Sequence, residues 1–130
     1  MATSNLGRKT KEINDSLDSI VIVNALGDIP GGRTLDVSGV SSDTTVIAAG
    51  HVIIKTSAGV HKPLGVTKGS YVTLGEGESY VGILKASILV EDPRAAIMTI
   101  GQVNAGAAAK AVGAPYTTAI KSGLPHIQFL

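Results

Sequence analysis

The chain has 130 residues, a length typical of one domain or of one domain with an additional arm. Its formal net charge is +1 and it has no cysteine, which excludes disulfides, thiolate metal sites and a global charge that would attract nucleic acid. Aromatic residues make up only 3% of the sequence and tryptophan is absent, so the core must be built mainly from aliphatic side chains.

The first segment, residues 1–18, is polar and charged and shows no sustained hydrophobic period. A segment so poor in apolar side chains cannot offset the entropy lost on ordering. The pattern therefore predicts a flexible arm that becomes ordered on a partner, with a frayed terminus as the simpler alternative. No apolar run of the kind that marks a secretory signal is present, so we expect a protein made in a cytoplasm.

Residues 19–43 predict an extended linker that includes one strand. Ser19–Asn24 is rich in β-branched residues and favours the strand. Gly27–Gly32 contains the glycines and the proline that are typical of a loop.

Residues 44–130 predict one compact β-rich domain. Short apolar runs separated by turn residues are typical of a small barrel or sandwich. A turn centred near Ala58 should pair Lys55 with His61. The predicted strands are Val46–Ile54, Val60–Val66, Tyr71–Leu74, Tyr80–Leu84, Ser87–Val90 and Ala95–Val103.

The C-terminal part of this domain predicts a change from strands to helix. Asn104 is a suitable N-cap for an alanine-rich helix over Ala105–Val112, and Gly113 suits its C-terminal end. A second helical segment is predicted over Tyr116–Ser122, and His126–Leu130 is expected to rejoin the sheet as a strand. The fold class is therefore predicted as mainly β, with a short C-terminal helical part and an extended N-terminal arm.

No arrangement of residues predicts a catalytic, cofactor-binding or metal-binding site. The histidines His51, His61 and His126 form no close pair and no HExxH pattern, so packing or surface roles are expected for them. Gly101–Gly106 has the glycine spacing of a phosphate-binding loop, but two alanines follow where a lysine and a hydroxyl residue are required. We therefore predict that the chain is not an enzyme and uses no cofactor.

Five short sequences follow one another along the last two-thirds of the chain. They are Val52–Lys55 (VIIK), Lys62–Val66 (KPLGV), Tyr80–Leu84 (YVGIL), Ala96–Val103 (AIMTIGQV) and Ala119–Ile127 (AIKSGLPHI). Together they resemble the head decoration proteins of tailed phages, the lambda decoration protein group, which has a VGIL strand, a hydrophobic strand ending in Gly-x-Val, and a closing helix and strand. The chain departs from that group where Leu-Pro-His-Ile replaces the terminal Gly-Ile.

The resemblance implies a small β-fold without an active site that binds the outer surface of a phage capsid and stabilises or decorates it. The implied partner is the major capsid protein, and members of the group often form trimers. The implied location is the virion, after synthesis in the host bacterium. Because an N-terminal arm commonly docks on the shell in that group, the residues predicted to bind the capsid are Leu6, Arg8, Lys9, Lys11, Ile13 and Leu17.

Three alternatives remain at this point. A head-fibre base would belong to the same structural class and would have a fibre protein as a further partner. A small-barrel module for nucleic acid or carbohydrate is disfavoured by the scarcity of aromatic rings and by the balanced charge. An enzyme would require a constellation of residues that the sequence does not contain. No membrane partner is expected, because the longest apolar runs are too short to cross a bilayer.

Overall fold

The computed structural model of the protein describes residues 16–130. Its helices are α1 (Asp18–Val21), α2 (Ala105–Val112) and α3 (Thr118–Gly123). Its strands are β1 (Ile22–Asp28), β2 (Arg33–Thr34), β3 (Val46–Ile47), β4 (Val52–Lys55), β5 (His61–Pro63), β6 (Val66–Thr67), β7 (Ser70–Tyr71), β8 (Ser79–Leu84), β9 (Ile88–Leu89), β10 (Arg94–Ala95), β11 (Ile97–Val103) and β12 (Ile127–Phe129). The prediction of a mainly β fold with a short C-terminal helical part is confirmed.

The largest sheet of the described residues runs in the order β1-β11-β8-β4-β5, with antiparallel neighbours. β12 also pairs with β11, in parallel, beside the end of β11 that β8 does not reach. The predicted turn near Ala58 is confirmed, because Lys55 pairs with His61 across β4 and β5. Three small sheets of two strands each pair β2 with β10, β3 with β9, and β6 with β7.

The central strands are apolar at consecutive positions because both faces of the sheet are covered there. In β4, Val52 and Ile54 belong to one hydrophobic core and Ile53 to another. In β8, Ile83 and Leu84 divide in the same way. Successive side chains of a strand point to opposite faces, so an unbroken apolar run is the pattern expected of a strand buried on both sides.

The two cores are covered by different parts of the chain. The helix-side core packs against the helices and β12, and its buried members are Val21, Val52, Ile54, Leu64, Tyr71, Ile83, Met98, Val103, Ala108, Ala114, Tyr116, Ile120, Leu124 and Ile127. The small-sheet core lies under the β2–β10 and β3–β9 pairs, and its buried members are Leu35, Ile47, Ile53, Leu84, Ala95 and Ile97. Residues 19–43, predicted as an extended linker with a strand, supply one buried side chain to each core, Val21 and Leu35.

The predicted strand over Ser19–Asn24 is wrong in its first half, where the chain forms α1. The amide of Val21 donates to the carbonyl of Leu17 at 2.8 Å. One helical turn brings these two residues to about 6 Å along the axis, so both reach the helix-side core. The strand then extends to Asp28, because β11 supplies paired residues as far as Met98.

Two long predicted strands each divide between two sheets. Val46–Ile54 supplies β3 and β4, and Ala95–Val103 supplies β10 and β11. Between β3 and β4 the chain turns at Gly50, whose φ of 94° disfavours a residue with a side chain. The short strands β3 and β10 add Ile47 and Ala95 to the small-sheet core, and none of the described sheets closes into a barrel.

The predicted helical tail is confirmed. The Asn104 side chain accepts a hydrogen bond from the amide of Ala107 at 3.1 Å, and Gly113 ends α2 with a φ of 88°. Thr117 caps α3 in the same manner by accepting from the amide of Ile120 at 3.3 Å. The chain then rejoins the sheet as β12, as expected for His126–Leu130.

Two strand glycines permit close approach of neighbouring main chains, as glycine inside a strand pattern predicts. A Cβ at Gly82 would overlap the carbonyl oxygen of Met98. A Cβ at Gly101 would overlap the carbonyl oxygen of Asn24 and lie 2.7 Å from the sulfur of Met98. Neither backbone oxygen can move without disrupting the ladder.

We expect Gly82→Val and Gly101→Val to lower the free energy of unfolding by roughly 2–3 kcal/mol or more, since each overpacks a buried backbone contact. Gly77→Val should cost less, although φ is 76° there, because Gly77 lies in an exposed turn. Gly39→Val is the control, because a Cβ there meets no atom within 4 Å. Thermal unfolding of the four variants measures this order, and equal melting temperatures would contradict it.

Candidate functional site

The residues predicted to bind a capsid fall almost entirely outside the described part of the chain. Leu6, Arg8, Lys9, Lys11 and Ile13 precede Ser16, the first described residue. Leu17 lies within it, directly before α1, and is partly buried against the helix-side core. The side chain of Leu17 therefore contributes to packing of the domain.

Asp18 fixes the point at which the N-terminal segment joins the domain. Its carboxylate accepts two hydrogen bonds from Ser87, one from the amide at 2.8 Å and one from the hydroxyl at 2.6 Å. The Ser87 hydroxyl in turn accepts from the amide of Ala49 at 3.0 Å. This arrangement, which we term the Asp18 clamp, joins α1 to two loops that are distant in sequence.

Exposed apolar side chains concentrate on β1 and next to it. Leu26 is 68% exposed, Ile20 50% and Val23 49%, and Ile100 of the neighbouring β11 is 46% exposed. β1 is the outermost strand of the large sheet, and no other described strand pairs with its outer edge. A monomeric protein usually protects such an edge, so these residues form the best candidate for an interaction surface.

From Ile22 to Gly27, β1 also carries no charged side chain. Asn24 lies opposite Gln102, and the Gln102 amide donates to the Gln128 side chain at 2.7 Å. Paired residues share a face, and Val103 points into the helix-side core, so this polar row points away from that core. The sequence has no Asp, Glu, Lys or Arg from Ser19 to Gly27 or from Ala95 to Ala109.

The histidines occupy three different environments. His51 is partly buried, its Nε2 lies 2.7 Å from the carbonyl oxygen of Leu64, and its ring meets the edge of Tyr71 at 5.5 Å. Burial lowers the pKa of His51, and the hydrogen bond to Leu64 opposes that shift. Partial burial also lowers the pKa of His61, with help from the nearby cations of Arg33 and Lys55, whereas His126 is exposed.

A cavity of about 670 Å³ lies between residues 36–48 and the β5–β6 region, and His51 forms part of its wall. The ammonium of Lys62 lies 2.6 Å from the Glu78 carboxylate, and this contact holds the pKa of Glu78 below its usual value. Hydrogen bonds from Ser38 likewise lower the pKa of Asp36. Both carboxylates are therefore anionic at neutral pH, and neither is tuned as a proton donor.

Other polar groups of the described residues form structural contacts. Arg94 donates two hydrogen bonds of 2.8 and 2.9 Å to the exposed carboxylate of Asp92. Within residues 16–130, no three His, Asp or Glu side chains are grouped closely enough to hold a metal ion. The longest described helix, α2, has eight residues, so none of the described helices can cross a membrane.

Sequence reasoning missed the Asp18 clamp and the exposed β1 surface. The clamp gave no signal, because Asp18 and Ser87 are 69 positions apart in the sequence. The charge-free run from Ser19 to Gly27 did not distinguish the β1 surface, because longer charge-free runs occur at residues 44–54 and 95–109.

We expect stability to fall as the pH drops below about 6.5, because the unfolded chain binds a proton at His51 more readily than the folded chain does. A group whose pKa is lowered by folding contributes fully to the free energy of unfolding at pH values above its pKa in the unfolded chain. That contribution is lost as the pH falls through its pKa in the folded chain. His51→Gln, which retains a donor for the Leu64 carbonyl, should make the decline shallower. Denaturant unfolding between about pH 7.5 and 5 measures the slope.

The control for this experiment is His126→Gln, which changes an exposed ring and should keep the original slope. Identical slopes in all three proteins would contradict the assignment to His51.

No protein-family model, no curated protein and no solved structure matches the chain.

Proposed function

We propose that this chain is a structural, non-enzymatic virion protein that binds the outer surface of a phage capsid through its N-terminal segment. The observation that carries the proposal is the Asp18 clamp. It fixes the start of a compact domain immediately after a segment whose composition favours ordering on a partner. A segment attached at a rigid point loses less freedom on binding than one attached through a loose linker.

The positions of the sequences that resemble decoration proteins also support the proposal. Tyr80–Leu84 belongs to β8, Ala96–Val103 contains β11, and Ala119–Ile127 joins α3 to β12. The first two supply β8 and the beginning of β11, which are buried on both faces, and the third packs against the helix-side core through Ile120 and Ile127. The resemblance therefore lies in elements that determine the architecture of the domain.

Such a role requires no chemistry from the side chains. A protein that binds only the assembled lattice stabilises that lattice by mass action. Many copies act on one shell, so a modest affinity at each site is sufficient. When the N-terminal segment becomes ordered on the shell, backbone hydrogen bonds and contacts of Leu6 and Ile13 would supply most of the binding free energy. Arg8, Lys9 and Lys11 would set the orientation of the segment.

The direct test is to purify phage particles by density-gradient centrifugation from cells in which the gene is expressed. The proteins of the purified particles are then identified. The chain should be present in many copies and should be accessible to antibody on intact heads. Its absence from purified heads would overturn the proposal.

A second prediction assigns the affinity to the N-terminal segment. Deleting residues 1–15 spares Leu17 and the Asp18 clamp, so the circular dichroism spectrum and the melting temperature should change little. Binding to heads that lack the chain should weaken by at least about tenfold, equivalent to roughly 1.4 kcal/mol or more. Sedimentation of the protein with such heads measures this loss.

A matched pair of variants separates specific contacts from general attraction to a charged shell. Replacing Arg8, Lys9 and Lys11 by alanine should weaken binding and change its salt dependence. Replacing three exposed lysines elsewhere, Lys55, Lys110 and Lys121, removes the same charge and should have little effect. Equal losses in both variants, or full binding by the shortened chain, would contradict the assignment.

A further inference from the structure

The cavity between residues 36–48 and the β5–β6 region has a mixed lining. Part of the lining is aliphatic and includes Val40, Leu64, Val66 and Val112. The rest is polar, and its ionisable side chains are Asp36, His51, Lys62 and Glu78. An apolar wall that carries a few polar groups is the usual form of a site for a small ligand.

The hydrogen bond of His51 determines which nitrogen of its ring carries the proton. Nε2 lies 2.7 Å from the carbonyl oxygen of Leu64, and a carbonyl oxygen can only accept, so Nε2 is the donor. Burial lowers the pKa of His51, and the ring is therefore neutral at neutral pH. In a neutral ring with its proton on Nε2, the other nitrogen, Nδ1, has a free lone pair and acts as an acceptor.

The Nδ1 atom of His51 has no hydrogen-bond partner among residues 16–130, although protein atoms surround most of the ring. It is not sealed in the interior, because no side-chain nitrogen or oxygen of the described residues is both buried and unpaired. Since His51 forms part of the cavity wall, this nitrogen opens to the cavity. The edge contact with Tyr71 and the hydrogen bond to Leu64 hold the ring in place. The cavity therefore contains a fixed acceptor that its own chain does not use.

The charged groups of the cavity also favour a ligand that donates hydrogen bonds. The Lys62 ammonium is already bound to the Glu78 carboxylate at 2.6 Å, so these two charges offset each other. The Asp36 carboxylate accepts from the amide of Ser38 at 3.0 Å and forms no ion pair within residues 16–130. The lining therefore retains one negative charge, which attracts a cation and repels an anion.

We propose that this cavity binds an alkylammonium ion, whose ammonium group donates to Nδ1 of His51 and whose alkyl chain packs against the aliphatic wall. A neutral imidazole accepts from an ammonium group without charge repulsion, and the Asp36 carboxylate adds attraction. The alkyl chain is removed from water against Val66 and Val112. Free alkyl diamines and the lysine side chain share this chemistry. The inference is independent of the proposed binding to capsids.

The test uses n-butylammonium as the probe and n-butanol as its uncharged counterpart of similar shape. Titration of the nitrogen-15-labelled full chain, followed by nuclear magnetic resonance at neutral pH, measures both dissociation constants. We expect about 1–10 mM for n-butylammonium, a range that so small a ligand can reach, and at least about tenfold weaker binding of n-butanol. The Nδ1 resonance of His51 should shift, because that nitrogen accepts the new hydrogen bond.

Two variants test the contacts of the ammonium group. Asp36→Asn keeps an acceptor for the amide of Ser38 and removes the charge, whereas His51→Gln keeps a donor for Leu64 and removes the acceptor at Nδ1. Each should weaken binding of n-butylammonium by at least about fivefold. Asp36 is exposed, so its variant should fold even if His51→Gln is unstable. The matched control is Asp43→Asn, which should bind normally because that exposed carboxylate lies in the same loop but outside the cavity lining.

Four results would overturn the inference and leave the proposed binding to capsids untouched. They are a chain that n-butylammonium fails to saturate at about 100 mM, equal binding of n-butanol, an unchanged Nδ1 resonance at saturation, and equal losses in Asp43→Asn and Asp36→Asn. If the site is present, two further ligands distinguish its source. Tighter binding of 1,4-diaminobutane than of n-butylammonium identifies a free diamine, and tighter binding of a blocked lysine amide identifies a lysine side chain.

Discussion

Contact between the main chains of β8 and β11 determines how the rest of the domain can pack. At Gly82 the carbonyl oxygen of Met98 lies where a Cβ would be, so the two main chains approach more closely than any residue with a side chain would allow at this position. The next residues, Ile83 and Leu84, then point to opposite sides and enter different cores. The helices and the small sheets therefore pack on opposite faces of β4, β8 and the beginning of β11.

Coverage of the large sheet is uneven, and this asymmetry is the source of its candidate interaction surface. The small-sheet core covers β4, β8 and the beginning of β11 on one face. On the same face, β1 and the end of β11 present Ile100 and an uncharged polar row that includes Gln102. Among residues 16–130, no element covers this half of the face, so it remains the best candidate for an interaction surface.

The sequence predicted the elements whose signals are local. The caps Asn104 and Gly113, the turn that pairs Lys55 with His61, and the close approach at Gly82 follow from residue type and spacing alone. The helix at Asp18–Val21 could not be predicted, since its residues favour a strand and only the distant Ser87 and the helix-side core select the turn. The division of long apolar runs between two sheets was missed for the same reason, because it depends on which core each residue enters.

The candidate site shows the same division between local and distant determinants. The composition of residues 1–18 directed attention to that segment, but Leu17 and Asp18 at its end are structural residues of the domain. The charge-free sequence of β1 was visible, yet its exposure depends on lying at the edge of the sheet, which only the strand order reveals.

The position of Val103 has a consequence for the path of the whole chain. Ile22 pairs with Val103 on one side and Phe129 pairs with it on the other, so the first and last strands lie about 10 Å apart, two strand spacings across β11. The end of β12 therefore lies near the start of β1, and the domain should tolerate circular permutation, through a linker to the segment before α1, with new termini in the exposed turn at Ser57–Gly59.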